Sequence, residues 1–332
     1  MKILLTAQQG KTFDTHFPEH ILSQLRAMGE VELNPFSRPF TREELKARLG
    51  DVDIVVSHWG TPQIDAELLS CAPRLKILAH AAGTVAHIAS EAFYERGIPV
   101  LSANSVMAKY VAEGVLGYLI AGGHRMVQTD RIMRAGGWDK RGDEHYSLWH
   151  AEIGLIGLGE VARNLLDLIR PFDCDVCVYD PYLPENGLDR WPFAHRGTLD
   201  EVLSRPIVSV HAAQTPETYH MIDEGALAKL PDGATLINTS RGSLVDTKAL
   251  IRELQKGRLY AVLDVYEHEG AGEVDPELLA CTENTILQPH ASCCAARWHM
   301  TQEIINDLGR FLHGEPLKLQ VSLRQYRLMT QE

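Results

Sequence analysis

Short apolar runs alternate with stretches of helical hydrophobic spacing through most of the chain. In the first part, "KILLT", "EVELN", "DIVVS", "LKILAH" and "IPVLSA" read as strands. Between them, "HILSQLRAMG", "TREELKARLG", "DAELLSCA" and "HIASEAFYERG" repeat their apolar residues at the period of a helix buried on one side. Thr41 ahead of "REE" supplies a capping signal. Strands and helices in alternation with short connections predict a parallel sheet covered by helices on both faces. The first part of the chain, about 100 residues, is thus one doubly wound α/β domain.

The segment "SVMAKYVAEGVLGYLIAGGHRMVQTDRIMRAGG" predicts a long helix interrupted near Gly122 and Gly123. A helix that covers only its own domain needs a single apolar stripe. This one is apolar on more than one face from about Val106 to Gly136, which predicts a two-fold homodimer. A second strand–helix series follows with "EIGLIG", "DVCVYD", "IVSVH", "ATLINTS", "YAVLDV" and "TILQ". An amphipathic helix, "ARWHMTQEIINDLGRFLHG", comes after it. The fold class is α/β, with two doubly wound parallel-sheet domains.

A length of 332 residues suits two such domains. The net charge of −12 argues against a nucleic-acid partner, which selects for a basic face. No run approaches the ~20 apolar residues that span a bilayer. The opening apolar run is too short for a signal-peptide core, so a soluble cytoplasmic protein with no membrane partner is expected. Cys174 and Cys177 form a C-x-x-C, but within an alternating strand pattern that turns them to opposite faces. No matching second pair completes a zinc site, so reduced structural thiols and no metal are expected.

The chemistry concentrates after Ala151, in "AEIGLIGLGEVARNLL". Gly157, Gly159 and Ala162 punctuate a strand-to-helix turn, and the N–H groups at Glu160 and Val161 open the helix. Free N–H groups and a partial positive charge at a helix start hold a pyrophosphate, and the glycines let it approach. The next strand ends at Asp180, 21 residues after Gly159, where a carboxylate accepts from ribose hydroxyls. This pattern predicts a dinucleotide site. With no Arg until Arg190 to receive a 2′-phosphate, the cofactor expected is NAD.

Five segments in register then resemble one family, the D-isomer-specific 2-hydroxyacid dehydrogenases: "GLIGLGEVA", "VSVHAAQTPETYHMI", "LINTSRGSLVD", "LDVYEHE" and "LQPHAS". The resemblance implies a Rossmann-type NAD domain, residues 103–291, inserted into a split flavodoxin-like substrate domain, residues 1–102 and 292–332. It implies that His290 is the acid/base, Glu269 its acidic partner and Arg241 the substrate-binding cation. It also implies cofactor contacts from Thr239, Arg241 and Asp264, the last helping to position the nicotinamide. "HAAGTV" resembles the loop whose N–H groups hold the substrate carboxylate, around Ala82 and Gly83. Tyr110 and Trp59 are candidates to line the substrate site, while His58, His80 and His87 are expected to be rim or structural residues. The chain departs from the family pattern at Gly270, where Pro is common, and at "ASCC" after His290.

These residue types suit reduction of a 2-keto acid. An Arg fork matches a carboxylate and polarises the carbonyl. A His gives and takes the proton, and a neighbouring carboxylate favours its charged form and fixes its orientation. The function implied is NAD-dependent interconversion of a small D-2-hydroxy acid and its 2-keto acid. The alternative is an NAD(H)-sensing, corepressor-like binding protein on the same fold, which the lack of long flanking recruitment segments disfavours. The loop "SHWGTP" offers His58 and Trp59 but no Arg or Lys, so an unphosphorylated substrate is expected, with Arg297 as the one competing source of charge.

Overall fold

β-Branched and aliphatic runs, buried on both faces, form the centre of two separate sheets in the computed structural model, which describes residues 1–139, 145–269 and 274–329. The chain divides into two units, Met1–Met107 with Cys294–Glu332, and Ala108–Cys293. The change of unit at residues 107–108 falls inside the helix Asn104–Gly123.

In the first unit the strands are β1 (Lys2–Leu5), β2 (Glu30–Leu33), β3 (Ile54–Ser57), β4 (Ile77–His80) and β5 (Val100–Ser102). Their order is β2-β1-β3-β4-β5 and every pairing is parallel. β3 and β4 are buried along their whole length, as central parallel strands must be, whereas "EVEL" of β2 at the edge keeps partial exposure. Thr41 caps the helix Arg42–Lys46 through a reciprocal box with Glu44, an arrangement that stabilises a helix start by about 1 kcal/mol. The C-terminal segment returns to this sheet. Ser102 N–H donates to Leu319 O at 3.0 Å and Val321 N–H to Val100 O at 2.9 Å. The buried Asp307 on the helix Arg297–His313 accepts from the N–H groups of Lys318 and Leu319, which pins the returning segment.

In the second unit the strands are β6 (Glu152–Ile156), β7 (Asp175–Tyr179), β8 (Ala194–Arg196), β9 (Ile207–Val210), β10 (Thr235–Asn238), β11 (Tyr260–Leu263) and β12 (Thr285–Leu287). The sheet runs β12-β11-β10-β9-β6-β7-β8, again with parallel pairings. The order reverses between β6 and β9, and in an open α/β sheet ligands bind beyond the strand ends at such a switch point. The hydrophobic pattern does not announce β8, whose "AHR" is exposed at two of its three positions, and misses the short helices Lys11–His16 and Leu323–Arg327. An edge strand this short gains its pairing from β7 rather than from apolar burial.

The long apolar segment forms two helices, Asn104–Gly123 and Met126–Arg134, separated by Arg125 in the left-handed region at φ 49°. Cys174 and Cys177 are buried thiols. Cys174 donates to Leu148 O at 3.2 Å, and burial raises both above the usual thiol range. No helix among the described residues is long and apolar enough to cross a membrane. Among the described residues, no group of three or more His, Cys, Asp or Glu is placed to hold a metal ion.

Candidate active site

The glycine turn sits at the switch point because its backbone touches the loop after β9. Gly157 has φ +91°, and a Cβ there would lie 2.8 Å from Ala212 N, so only glycine closes this corner. Gly159 is the opposite case: a Cβ on it would meet no protein atom within 4 Å, so the space above it is open. Gly159 is also the N-cap of the helix Glu160–Ile169 and offers no capping side chain. The N–H groups that start this helix are therefore left for a ligand, the arrangement a pyrophosphate needs.

Asp180 follows β7 and braces the same turn. Its Oδ2 accepts from Leu158 N–H at 2.8 Å and its Oδ1 from Tyr182 N–H at 2.8 Å. The carboxylate is thus held in one orientation beside the glycines, with lone pairs to spare for a hydroxyl partner. Beyond β10, Thr239 Oγ1 is buried and has no partner among the described residues.

A second cluster lies beyond β10, β11 and β12. His290 Nδ1 is 2.8 Å from Glu269 Oε2, with both side chains about two-fifths exposed (41% and 40%). A carboxylate only accepts, so Nδ1 carries the proton in this pair. Glu269 Oε1 in turn accepts from Tyr266 N–H at 3.2 Å. Asp264, 1% exposed, accepts from Ala291 N–H at 2.8 Å, Ser292 N–H at 3.1 Å and Tyr118 Oη at 3.3 Å. Ser292 Oγ donates to Tyr118 Oη at 3.0 Å. His290 itself has φ +53°, an uncommon conformation for a side-chain-bearing residue, and the Asp264 carboxylate holds the two residues that follow it.

Arg241 is tied to this cluster through its neighbour. A Cβ on Gly242 would fall 1.8 Å from the carbonyl carbon of Tyr266, so the two backbones are in direct contact. Arg241 Nη1 donates to Ser240 O at 2.8 Å, and Asn238 Nδ2 to Arg241 O at 2.9 Å. One continuous framework therefore runs from Arg241 through Tyr266 and Glu269 to His290 and back to Asp264. His220 Nε2 pairs with Glu267 Oε1 at 2.5 Å on the same loop.

In the first unit, Ala82 and Gly83 are buried just beyond β4. Among the described residues neither backbone N–H donates to a protein acceptor. Ser102 Oγ donates to Gly83 O at 2.5 Å and fixes the loop. Trp59, 38% exposed, meets the edges of His58 and His16 at ring-centroid distances of 4.5 and 5.5 Å. Burial pushes His58 well below its ordinary value, with His16 and His80 adding to the effect, and pushes His80 down to about 3. His16 is lowered by burial first and then by the charge of Arg297.

Residues 116–292 match the model of the D-isomer specific 2-hydroxyacid dehydrogenase, NAD binding domain. A glyoxylate reductase of Thermofilum pendens is 34% identical over 309 residues, 90% of each chain. The chain belongs to the D-isomer-specific 2-hydroxyacid dehydrogenases.

It is an NAD-dependent D-2-hydroxyacid dehydrogenase. A D-3-phosphoglycerate dehydrogenase of Methanocaldococcus jannaschii is 30% identical over 90% of this chain, which spans 56% of that longer protein. The D-mandelate dehydrogenase structure from Rhodotorula graminis shares the fold at TM-score 0.79 and 23% identity, covering 97% of each chain. The open space at Gly159, the uncapped helix start and the buried Thr239 hydroxyl fit the dinucleotide of this family.

Sequence reasoning did not find Tyr118, Ser292 or Tyr266, whose roles arise from contacts between distant segments. The Asp264 carboxylate, expected on the nicotinamide side, also engages the backbone after His290. The departure at "ASCC" is accommodated, since Ser292 bonds both Asp264 and Tyr118. The departure at Gly270 lies outside the described residues.

Proposed function

We propose that the enzyme reduces a small, unphosphorylated 2-keto acid to the D-2-hydroxy acid, with His290 as the proton donor. The observation that carries this reading is the 2.8 Å bond between His290 Nδ1 and Glu269 Oε2. It commits one imidazole nitrogen to the carboxylate and leaves Nε2 to protonate the carbonyl oxygen as charge develops there. Glu269 orients the ring and stabilises its cationic form. Arg241 holds the carboxylate as a fork and polarises the carbonyl, and the N–H groups of Ala82 and Gly83 add donors to the carboxylate. Bound NADH supplies the hydride; Gly157, Gly159, Glu160, Val161, Thr239 and Asp180 hold it, with Asp264 acting through the His290 loop.

The wall formed by Trp59, His58 and His16 supports an uncharged substrate side chain. A histidine held neutral by burial supplies no cation to a phosphate, and an unpaired dianion forgoes charge-assisted hydrogen bonds of roughly 1.5–3 kcal/mol each. In a competition of glyoxylate, hydroxypyruvate, pyruvate and phosphohydroxypyruvate at equal concentration with NADH, an unphosphorylated acid gives the highest kcat/KM. A tenfold advantage for phosphohydroxypyruvate would mean that Arg297 serves the phosphate and would overturn the reading. The same assay with NADPH gives lower efficiency, because the anchored Asp180 carboxylate repels a 2′-phosphate. The match to dehydrogenases and reductases lends the NAD(H)-sensing alternative no support.

We also infer a homodimer built on the helices Asn104–Gly123 and Met126–Arg134. In the second of these, Gln128 is buried, while Met126, Met133 and the following Trp138 are 48%, 51% and 79% exposed. Apolar side chains grouped in this way mark a surface that a partner covers. Light scattering at micromolar concentration gives twice the chain mass; a monomer mass would remove the proposal.

A further inference from the structure

We propose that Cys293 and Cys294 form a redox modification site whose closure as a vicinal disulfide switches off turnover by displacing His290. The inference rests on the role given to His290 above. The two thiols are adjacent in sequence, Cys293 half-buried and Cys294 exposed, and lie in the turn at residues 292–295. Three of the other four cysteines, Cys174, Cys177 and Cys281, are buried, which leaves the half-buried Cys71 as the remaining competitor for an oxidant.

The chemistry balances with a small-molecule disulfide as oxidant. The Cys294 thiolate attacks one sulfur of the reagent, breaks its S–S bond and releases the first thiol. The Cys293 sulfur then attacks Cys294 Sγ, forms the Cys293–Cys294 bond and releases the second thiol. The protein dithiol loses two electrons and two protons, and the reagent is reduced to two thiols.

Geometry makes this bond consequential. Neighbouring Cα atoms stand about 3.8 Å apart across a trans peptide, below the roughly 4.4–6.8 Å that disulfides ordinarily span. Closing the ring therefore deforms the intervening backbone, and the strain makes the bond easy to reduce again. The deformation has little room to dissipate. Ser292, next to Cys293, gives its N–H to Asp264 and its Oγ to Tyr118. It also packs against the helix Asn104–Gly123 so closely that a Cβ on Gly114 would lie 3.1 Å from Ser292 Oγ. A shift at Cys293 is thus carried to the Asp264-held residues Ser292 and Ala291 and to His290, whose φ of +53° depends on them. The glycine turn at residues 157–161 shares none of these contacts, so cofactor binding is spared.

The test is incubation of the whole enzyme with oxidised glutathione, followed by three readouts. Peptide mass spectrometry shows the segment carrying both residues about 2 Da lighter, the mass of two hydrogens lost in dithiol oxidation. Turnover with glyoxylate and NADH falls about 100-fold, the scale of a 1 Å misplacement of a reacting group, and dithiothreitol restores it. NADH binding by fluorescence is unchanged. Cys294→Ser, at an exposed position, keeps full activity in the same oxidant. A segment that keeps both hydrogens, or carries only glutathione, would overturn the proposal. So would a closed disulfide with turnover intact, a loss of NADH binding on closure, or equal inactivation of Cys294→Ser. The mass readout does not depend on His290, so failure of the disulfide and failure of the His290 assignment are told apart; the latter shows as an active His290→Asn enzyme.

Discussion

Replacing His290 with Asn lowers turnover by about 10²–10⁴-fold, the range that a positioned general acid contributes, while NADH binding stays close to that of the unaltered enzyme. Asn keeps a hydrogen-bonding group near Glu269 but has no proton to give at the carbonyl oxygen. The cofactor turn at Gly157 and Gly159 is braced by Asp180 and Ala212, not by His290, so the loss appears in kcat rather than in cofactor affinity. Glu269→Gln produces a smaller loss, since the amide still orients the ring but no longer balances the charge on it. Steady-state kinetics with a saturating keto acid, beside NADH fluorescence titration, check both. Near-normal turnover in His290→Asn would require another acid.

Acidification from pH 7 to pH 5 destabilises the fold by about 4 kcal/mol from His80 and His211 together, about 2 from each, and His58 acts in the same direction. Burial lowers all three imidazoles: His80 to about 3, His211 to about 4 and His58 well below its usual value. The unfolded chain takes up protons at these positions below about pH 6.5, whereas the folded chain does not, so the unfolded state gains about 1.4 kcal/mol per histidine per pH unit. The stability is fully present above pH 6.5 and falls until the folded pKa is reached. Urea midpoints at the two pH values measure the effect. His80→Asn, which takes up no proton, lowers stability at both and shrinks the difference by about 2 kcal/mol. Equal midpoints at pH 7 and pH 5 in the unaltered protein would show that these rings are hydrated.

The modification proposed at Cys293 and Cys294 and the mechanism proposed at His290 meet in one structural feature, the anchoring of Ala291 and Ser292 by Asp264. A buried carboxylate that accepts from two backbone N–H groups and a tyrosine hydroxyl is a rigid support, because leaving any of those donors unpaired costs about 1–3 kcal/mol. This explains how a left-handed conformation is held at His290, the residue proposed as the proton donor. It also explains why a change two or three residues along the chain reaches the ring.

Much of this was legible in the chain itself. Alternating strand and helix periods dictate parallel α/β sheets because fully buried runs such as "DIVVS" and "IVSV" are stable only when helices cover both faces. The glycine turn and Asp180 were readable because their chemistry is local: one strand, one turn and the end of the next strand, at a set spacing. His290, Glu269 and Arg241 stand out as candidates in five short segments in register, and the fold pairs the first two. What the chain could not reveal was which distant groups support them. Tyr118 meets Ser292 across 174 positions, Gly242 meets the Tyr266 backbone, and Asp264 turns its carboxylate to Ala291 and Ser292. Nothing in composition or period encodes such pairings, because they arise only when β10, β11 and β12 stand side by side and bring their following loops together. The edge strand β8 was missed for the same reason: its pairing comes from β7, and its own exposed "AHR" carries no hydrophobic signal. Local patterning determined the elements and the candidate reactive groups; the sheet order decided which loops meet, and so how rigidly those groups are held.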